Sequence, residues 1–170
     1  MAARRPARLK TFDYRGIHRY FVTCATESRQ KLFTDREVVA AAADQILRTC
    51  EERSFHVLAY VFMEDHLHLV VEGKSQDAHF VSMMTVLRQR TAITYSRQRK
   101  TRLWQDGYFE RVLRPTDDVF EIIRYIQNNP MDAGLPIERS RYPYVWCERE
   151  IRPATPVARG FSRASHDCDN

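Results

Sequence analysis

Val61-Phe62-Met63-Glu64-Asp65-His66-Leu67-His68-Leu69-Val70-Val71 is apolar and rich in β-branched residues on both sides of an acidic pair. Stretches of this composition and length read as strands, and Glu64-Asp65 between them suits a short hairpin connection. Side chains alternate faces along a strand, so His66, His68 and Val70 share one face while Leu67, Leu69 and Val71 share the other. Two imidazoles side by side on a sheet face make half of a metal site, because neutral imidazole is the commonest metal ligand. The pattern is also short enough to arise by accident, with one ring at the surface and the other a satisfied polar group at a strand end. Taken alone, these residues leave both readings open.

Working outward from this hairpin gives the element order. Residues 20–25, Tyr-Phe-Val-Thr-Cys-Ala, have strong strand propensity. Thr34 or Asp35 can cap a helix over residues 36–52, where Val38, Val39, Ala42, Ile46 and Leu47 recur at helical spacing. The hairpin strands cover residues 55–62 and 65–71. A second helix is expected over residues 78–99, with Phe80, Met83, Met84, Leu87 and Ile93 as its apolar stripe. Residues 104–113 read as a turn running into a fourth strand. Thr116 or Asp117 then caps a third helix with Val119, Ile122, Ile123 and Ile126 on its buried face, and Pro130 is expected to stop it. The order β-α-β-β-α-β is that of the ferredoxin-like split βαβ unit. The expected fold is therefore α+β: a four-stranded antiparallel sheet, two helices on one face, and the other face left open beneath the histidines.

The 170 residues, 44% of them hydrophobic, suit one domain with a proper core. We expect a basic N-terminal arm over residues 1–19, the domain over 20–137 and an irregular tail over 138–170. No apolar run approaches the roughly 18 residues that a bilayer span needs, so no membrane role is expected. The N-terminus has basic residues without an apolar region behind them, unlike a secretory signal. Four cysteines without a CxxC pair fit a reducing cytoplasm better than a disulfide scaffold or a zinc ribbon.

Charge points to a polyanionic partner. Between residues 88 and 114 stand Arg88, Arg90, Arg97, Arg99, Lys100, Arg102, Arg111 and Arg114, against only Asp106 and Glu110. That local excess is larger than the net +5 of the whole chain. Single-stranded nucleic acid is bound by basic grooves with aromatic stacking platforms, and Tyr108 and Phe109 lie beside Arg111 and Arg114. The plain alternative is a solvated arginine-rich helix face, with one of the two aromatics in the core.

In the third helix Tyr125 and Asn129 are four apart and share a face. A phenol and a carboxamide held this way could cooperate around one metal ion, Asn129 adding a hard oxygen ligand to His66 and His68 and Tyr125 acting as nucleophile. A phenol attacks a phosphodiester poorly unless a divalent cation polarises the phosphoryl oxygens. Otherwise Tyr125 is an amphipathic helix residue with its hydroxyl at the surface, and Asn129 the residue before a proline stop. Tyr95 is a second possible nucleophile, with no amide at the matching spacing.

The combination resembles the HUH endonuclease superfamily, and within it the single-tyrosine and REP-associated tyrosine transposases. The stretches that carry the resemblance are Tyr20-Phe21-Val22-Thr23, the run from Met63 to Val71, the run from Trp104 to Leu113, and the run from Arg124 to Leu135. Together they span roughly residues 15 to 137. The resemblance implies a nuclease and strand transferase acting on single-stranded or hairpin DNA. Tyr125 would form a 5′-phosphotyrosine link and leave a free 3′-hydroxyl, with Mg²⁺ or Mn²⁺ held by His66, His68 and Asn129. It also implies a monomer or a homodimer. Glu64 departs from the pattern, standing where such proteins often carry proline. A nucleic-acid-binding protein with a relict site, or a replication-initiator-like nicking enzyme, is the alternative.

Overall fold

The computed structural model describes residues 11–148. The expectations for residues 1–10 and 149–170 lie outside them. Strand β1 (Arg19–Ala25) is followed by a 3-10 turn at Glu27–Arg29, helix α1 (Arg36–Glu52), the hairpin β2 (Phe55–Phe62) and β3 (His66–Gly73), helix α2 (Phe80–Arg99), β4 (Phe109–Leu113), helix α3 (Val119–Asp132), a second 3-10 turn at Ile137–Ser140 and β5 (Val145–Cys147). The strands form one sheet in the order β4-β1-β3-β2-β5, and every neighbouring pair is antiparallel. This is the expected α+β, ferredoxin-like arrangement with a fifth strand added at the β2 edge.

Each helix starts on a side chain that satisfies backbone N–H groups the helix cannot. Asp35 caps α1 by accepting from Glu37 N at 2.8 Å. Asp118, one residue past the expected Asp117, caps α3 by accepting from Phe120 N and Glu121 N. Thr91, a weak helix former, is buried in α2 and does specific work there: its hydroxyl donates to the Leu87 carbonyl and accepts from the Trp104 indole at 2.8 Å.

Two apolar clusters sit on opposite faces of the sheet. Tyr20, Val22 and Cys24 of β1 and Leu67, Leu69 and Val71 of β3 face α1 and α2, meeting Ile46, Phe80, Met83 and Leu87. On the other face Val70, Ala59, Val61 and Leu113 meet Val119, Ile123 and Ile126 of α3. That face is therefore not open along its length, as the four-stranded reading expected. Helix α3 covers the β2 side and shares its apolar cluster with Leu113 at one end of β4, while Phe109 at the other end of β4 stays 40% exposed.

Three further expectations are corrected. Pro130 does not stop α3, which runs on to Asp132. A proline in the last turn removes one helical donor but leaves later N–H groups able to bond. The stop is Gly134, at φ +69°, where Gly134 N donates to Met131 O and Leu135 N to Pro130 O, a Schellman ending that favours glycine. The chain after residue 137 is not wholly irregular, because Val145–Cys147 pairs with β2 and Trp146 stacks on Tyr60 at 6.1 Å. The described part of the N-terminal arm is packed: Tyr14 stacks on Tyr20 and Phe80, and Gly16 N donates to Ala78 O.

That packing brings two backbones together at Gly73. A Cβ there would lie 2.2 Å from the Gly16 carbonyl oxygen, a backbone atom with nowhere to move. Gly73→Ala is expected to destabilise the fold by about 1–3 kcal/mol, the range for overpacking a tight site. Urea unfolding checks it; an unchanged midpoint would show that residues 11–18 are not held against β3.

Candidate active site

The site forms where α3 crosses the end of β3. Strand register decides what surrounds it. Thr23 of β1 lies opposite His68, and Ala25 opposite His66, so all four side chains share the face away from α1 and α2. The imidazole Nε2 atoms of His66 and His68 face each other at 3.2 Å. Each ring is fixed from behind: His66 Nδ1 donates to Asp65 Oδ1 at 2.6 Å, and His68 Nδ1 bonds the Thr23 hydroxyl at 2.8 Å. Phe21 lies against His68, with ring centroids 5.3 Å apart.

The Asp65 backbone is held too. Its carbonyl accepts from Thr26 N and from the Thr26 hydroxyl, both at 3.0 Å, so the hairpin turn is pinned to the end of β1. Arg29 reaches the Asp65 carboxylate at 3.3 Å. Burial would raise the pKa of Asp65, but the hydrogen bond to His66 and the charges of His66 and Arg29 outweigh it and hold the carboxyl below its usual range. Glu64, the residue departing from the family pattern, is paired with Lys31 at 2.8 Å.

Helix α3 brings Tyr125 to the histidines. Its buried stripe fixes the rotation of the helix, so Tyr125 is 55% exposed and its ring centroid lies 6.3 Å from that of His68. Asn129 sits one turn further on, where its Nδ2 donates to the Tyr125 carbonyl at 3.1 Å. It makes no hydrogen bond to either imidazole among the described residues. No third His, Cys, Asp or Glu joins the pair there either. Tyr95, the other possible nucleophile, is buried in the core on the opposite side of the sheet.

The predicted basic surface divides. Arg88, Arg90, Arg97 and Arg99 belong to α2, behind the sheet, with Lys100 as its C-terminal cap. Arg90 is tied to Glu52 at 2.5 Å, Arg99 to Asp35, and Arg102 to Glu27 at 3.2 Å and to Asp106. Arg88 donates to the Gln105 carbonyl and lies 5.7 Å from the Tyr108 ring centroid; Tyr108 itself packs towards Phe80. Arg114 follows β4, its backbone N–H donating to Asp117. Of the residues offered for DNA binding, the register puts Phe109 and Arg111 on the histidine face, opposite Thr23 and Phe21. Sequence reasoning missed Thr23 and Thr26 as partners of the histidine strand. Only the β1–β3 register identifies them.

A family model described as Transposase IS200 like matches residues 16–129, which include both histidines, Tyr125 and Asn129. The chain belongs to this family. Membership establishes a transposase-like enzyme that acts on DNA. Among curated relatives, a REP-associated tyrosine transposase of Escherichia coli strain K12 is 24% identical over 132 residues, covering 78% of this chain and 77% of that one. A Haemophilus influenzae protein provisionally given the same name is 22% identical over 144 residues, covering 78% and 81%. The fold is similar to that of a REP-associated tyrosine transposase solved bound to a REP hairpin, with a TM-score of 0.63 and 20% identity over 82% of each chain. No helix among the described residues of this IS200-like transposase is long and apolar enough to cross a membrane.

His68 also gives a pH test of the site. Burial, with His66 and Arg29 adding to it, pushes its imidazole down to about 4. An imidazole in the unfolded chain binds its proton near pH 6.5, so between the two values the unfolded state holds more protons. The resulting stability is complete above pH 6.5 and is lost as pH falls towards 4. Between pH 7 and pH 5 the wild type should lose about 2 kcal/mol more than His68→Gln. Denaturant unfolding at both pH values reads this, and equal losses would mean that His68 is not shielded.

Proposed function

We propose that the protein is a divalent-metal-dependent endonuclease and strand transferase that cuts single-stranded or hairpin DNA through a covalent tyrosine link. The observation that carries this reading is the approach of Tyr125 to His68, ring centroids 6.3 Å apart, where the His66 and His68 Nε2 atoms face each other at 3.2 Å. Nitrogens sharing one ion at about 2.1 Å each lie about 3.0–3.4 Å apart when their bonds open at about 90–110°. The donor set therefore suits one cation, with His66 and His68 as ligands. Asn129 is proposed as the third ligand by its place in the family motif, and it would have to release the Tyr125 carbonyl to serve.

The surrounding groups fit that role. A carboxylate behind a ligating imidazole fixes its tautomer, and Asp65 does so for His66. Thr23 can both donate and accept, so it supports His68 with Nε2 protonated or with that lone pair free. Burial keeps His68 neutral, the form that ligates. A bound Mg²⁺ or Mn²⁺ would polarise the phosphoryl oxygens. In the step itself the Tyr125 phenolic oxygen attacks phosphorus as the P–O3′ bond breaks. The phenol gives up a proton, the departing 3′-oxygen gains one, and the DNA 5′-phosphate stays on Tyr125. Because α3 docks on the sheet of its own chain, one chain holds both histidines and the tyrosine, which supports a monomer able to act alone.

With labelled hairpin oligonucleotides and Mn²⁺, the wild type should give a protein–DNA adduct on a denaturing gel. Tyr125→Phe should abolish the adduct and keep DNA binding, and EDTA should abolish it in the wild type. An adduct from Tyr125→Phe would overturn the assignment. Asp65→Asn should weaken Mn²⁺ binding about 10- to 100-fold by calorimetry; unchanged affinity would remove Asp65 from the site.

A further inference from the structure

The β1–β4 half of the histidine face has its own pattern. Phe109, Thr23 and His68 form one row across β4, β1 and β3, and Arg111, Phe21 and Val70 form the next. Strands lie about 4.8 Å apart, so the Phe109 and His68 backbones are separated by roughly 10 Å, with only a threonine between them. Phe109 thus stands across Thr23 from His68, whose Nδ1 bonds the Thr23 hydroxyl at 2.8 Å. Phe109 is 40% exposed, and its ring meets no other ring among the described residues. Tyr108, just before β4, turns the other way and packs towards Phe80. At the rim stands Arg111, 54% exposed and anchored by Asp117 at 3.1 Å, with further N–H donors left over.

A large exposed aromatic on a rigid paired strand, beside a guanidinium, is what binds an unpaired base and its phosphate. We propose that Phe109 is a stacking platform for the unpaired base next to the scissile phosphate, with Arg111 on the neighbouring phosphate. This rests on the proposed function, since it takes single-stranded DNA as the occupant. The geometry favours that occupant over duplex. The exposed Phe109 ring can take the face of a single unpaired base, whereas paired, stacked bases present only their edges and backbone. The platform lies on the β1–β4 side, across His68 from the half of the face that α3 covers. A base stacked there would hold one strand against the sheet and present its phosphate to Tyr125.

The experiment uses the full-length protein carrying Tyr125→Phe, so that nothing is cut, with two fluorescein-labelled probes. One is a hairpin pool with randomised single-stranded flanks and the other is the same hairpin with blunt ends. Phe109→Ala should weaken binding of the flanked probe roughly tenfold, in the range for losing one stacked base, and leave the blunt probe unchanged. Phe109→Trp should restore affinity, and its added indole fluorescence should be quenched by the flanked probe, in EDTA as well as in Mn²⁺. Ile93→Trp, at an exposed position of α2 behind the sheet, should give an indole that is not quenched. Intact flanked-probe affinity in Phe109→Ala, or an unquenched indole at 109 with DNA bound, would overturn the platform. Quenching at 109 together with no adduct from wild-type Tyr125 would keep the platform and overturn the nuclease reading instead.

Discussion

Everything at the site depends on the antiparallel register that sets Thr23 opposite His68. Faces alternate with a period of two, so a slip of one residue between β1 and β3 would turn a different set of β1 side chains towards the histidines. Phe21 and Thr23 would then point into the helical layer, and Val22 would sit beside His68. What prevents the slip is the apolar set on the opposite face, where Tyr20, Val22 and Cys24 are almost completely buried with Leu67, Leu69 and Val71. The polar site is thus held in place by the core behind it. Thr26 adds a local lock, bonding the hairpin turn with both its backbone and its hydroxyl, so the His66–Asp65 pair inherits the position of β1.

The tyrosine is positioned by different means. Tyr125 is largely exposed and contributes little packing of its own, so its place is set by the helix that carries it. Val119, Ile123, Ile126 and Pro130 form the buried stripe of α3. Burying an aliphatic side chain of this size is worth about 1.5–3 kcal/mol, enough over three such residues to hold helix orientation firmly. Gln127 adds a polar tie, donating to Cys147 of β5 at 2.9 Å. The fifth strand therefore widens the sheet on which α3 rests and supports the helix from the side away from the histidines.

This division explains what could be read from the residues in order. Periodicity carried the two long helices, the hairpin and the βαββαβ order, because each is a repeated local pattern. The His66/His68 pair and the Tyr125/Asn129 spacing were visible for the same reason. The fifth strand was not, since three residues hold too little pattern and its formation relies on the free edge of β2. Nor was the bulge in β2: Val57 pairs with Val71 but Ala59 with Val70, so Leu58 is an extra residue that switches which side chains face α3. Phe55 and Val57 therefore pack with α1 and α2, and so do Tyr60 and Phe62, a change of phase that strict alternation cannot give. Thr23 and Phe109 gained their meaning only from cross-strand neighbours more than forty positions away.

Charge is where nearness in sequence and nearness in the fold differ most. The basic run from 88 to 114 suggested one surface, yet its arginines are distributed over two sides of the sheet, and several are neutralised by acids from other elements. An exposed ion pair of this kind adds little stability, and it occupies part of the guanidinium's set of donors. The net positive charge still acts at long range, drawing a polyanion towards the molecule and weakening with salt. In the reading proposed above, close selection falls to the strip of sheet where Phe109 is exposed beside Thr23 and Arg111 is held at the edge. In this arrangement the charge that recruits and the surface that discriminates are separate features, and mutations in one need not disturb the other.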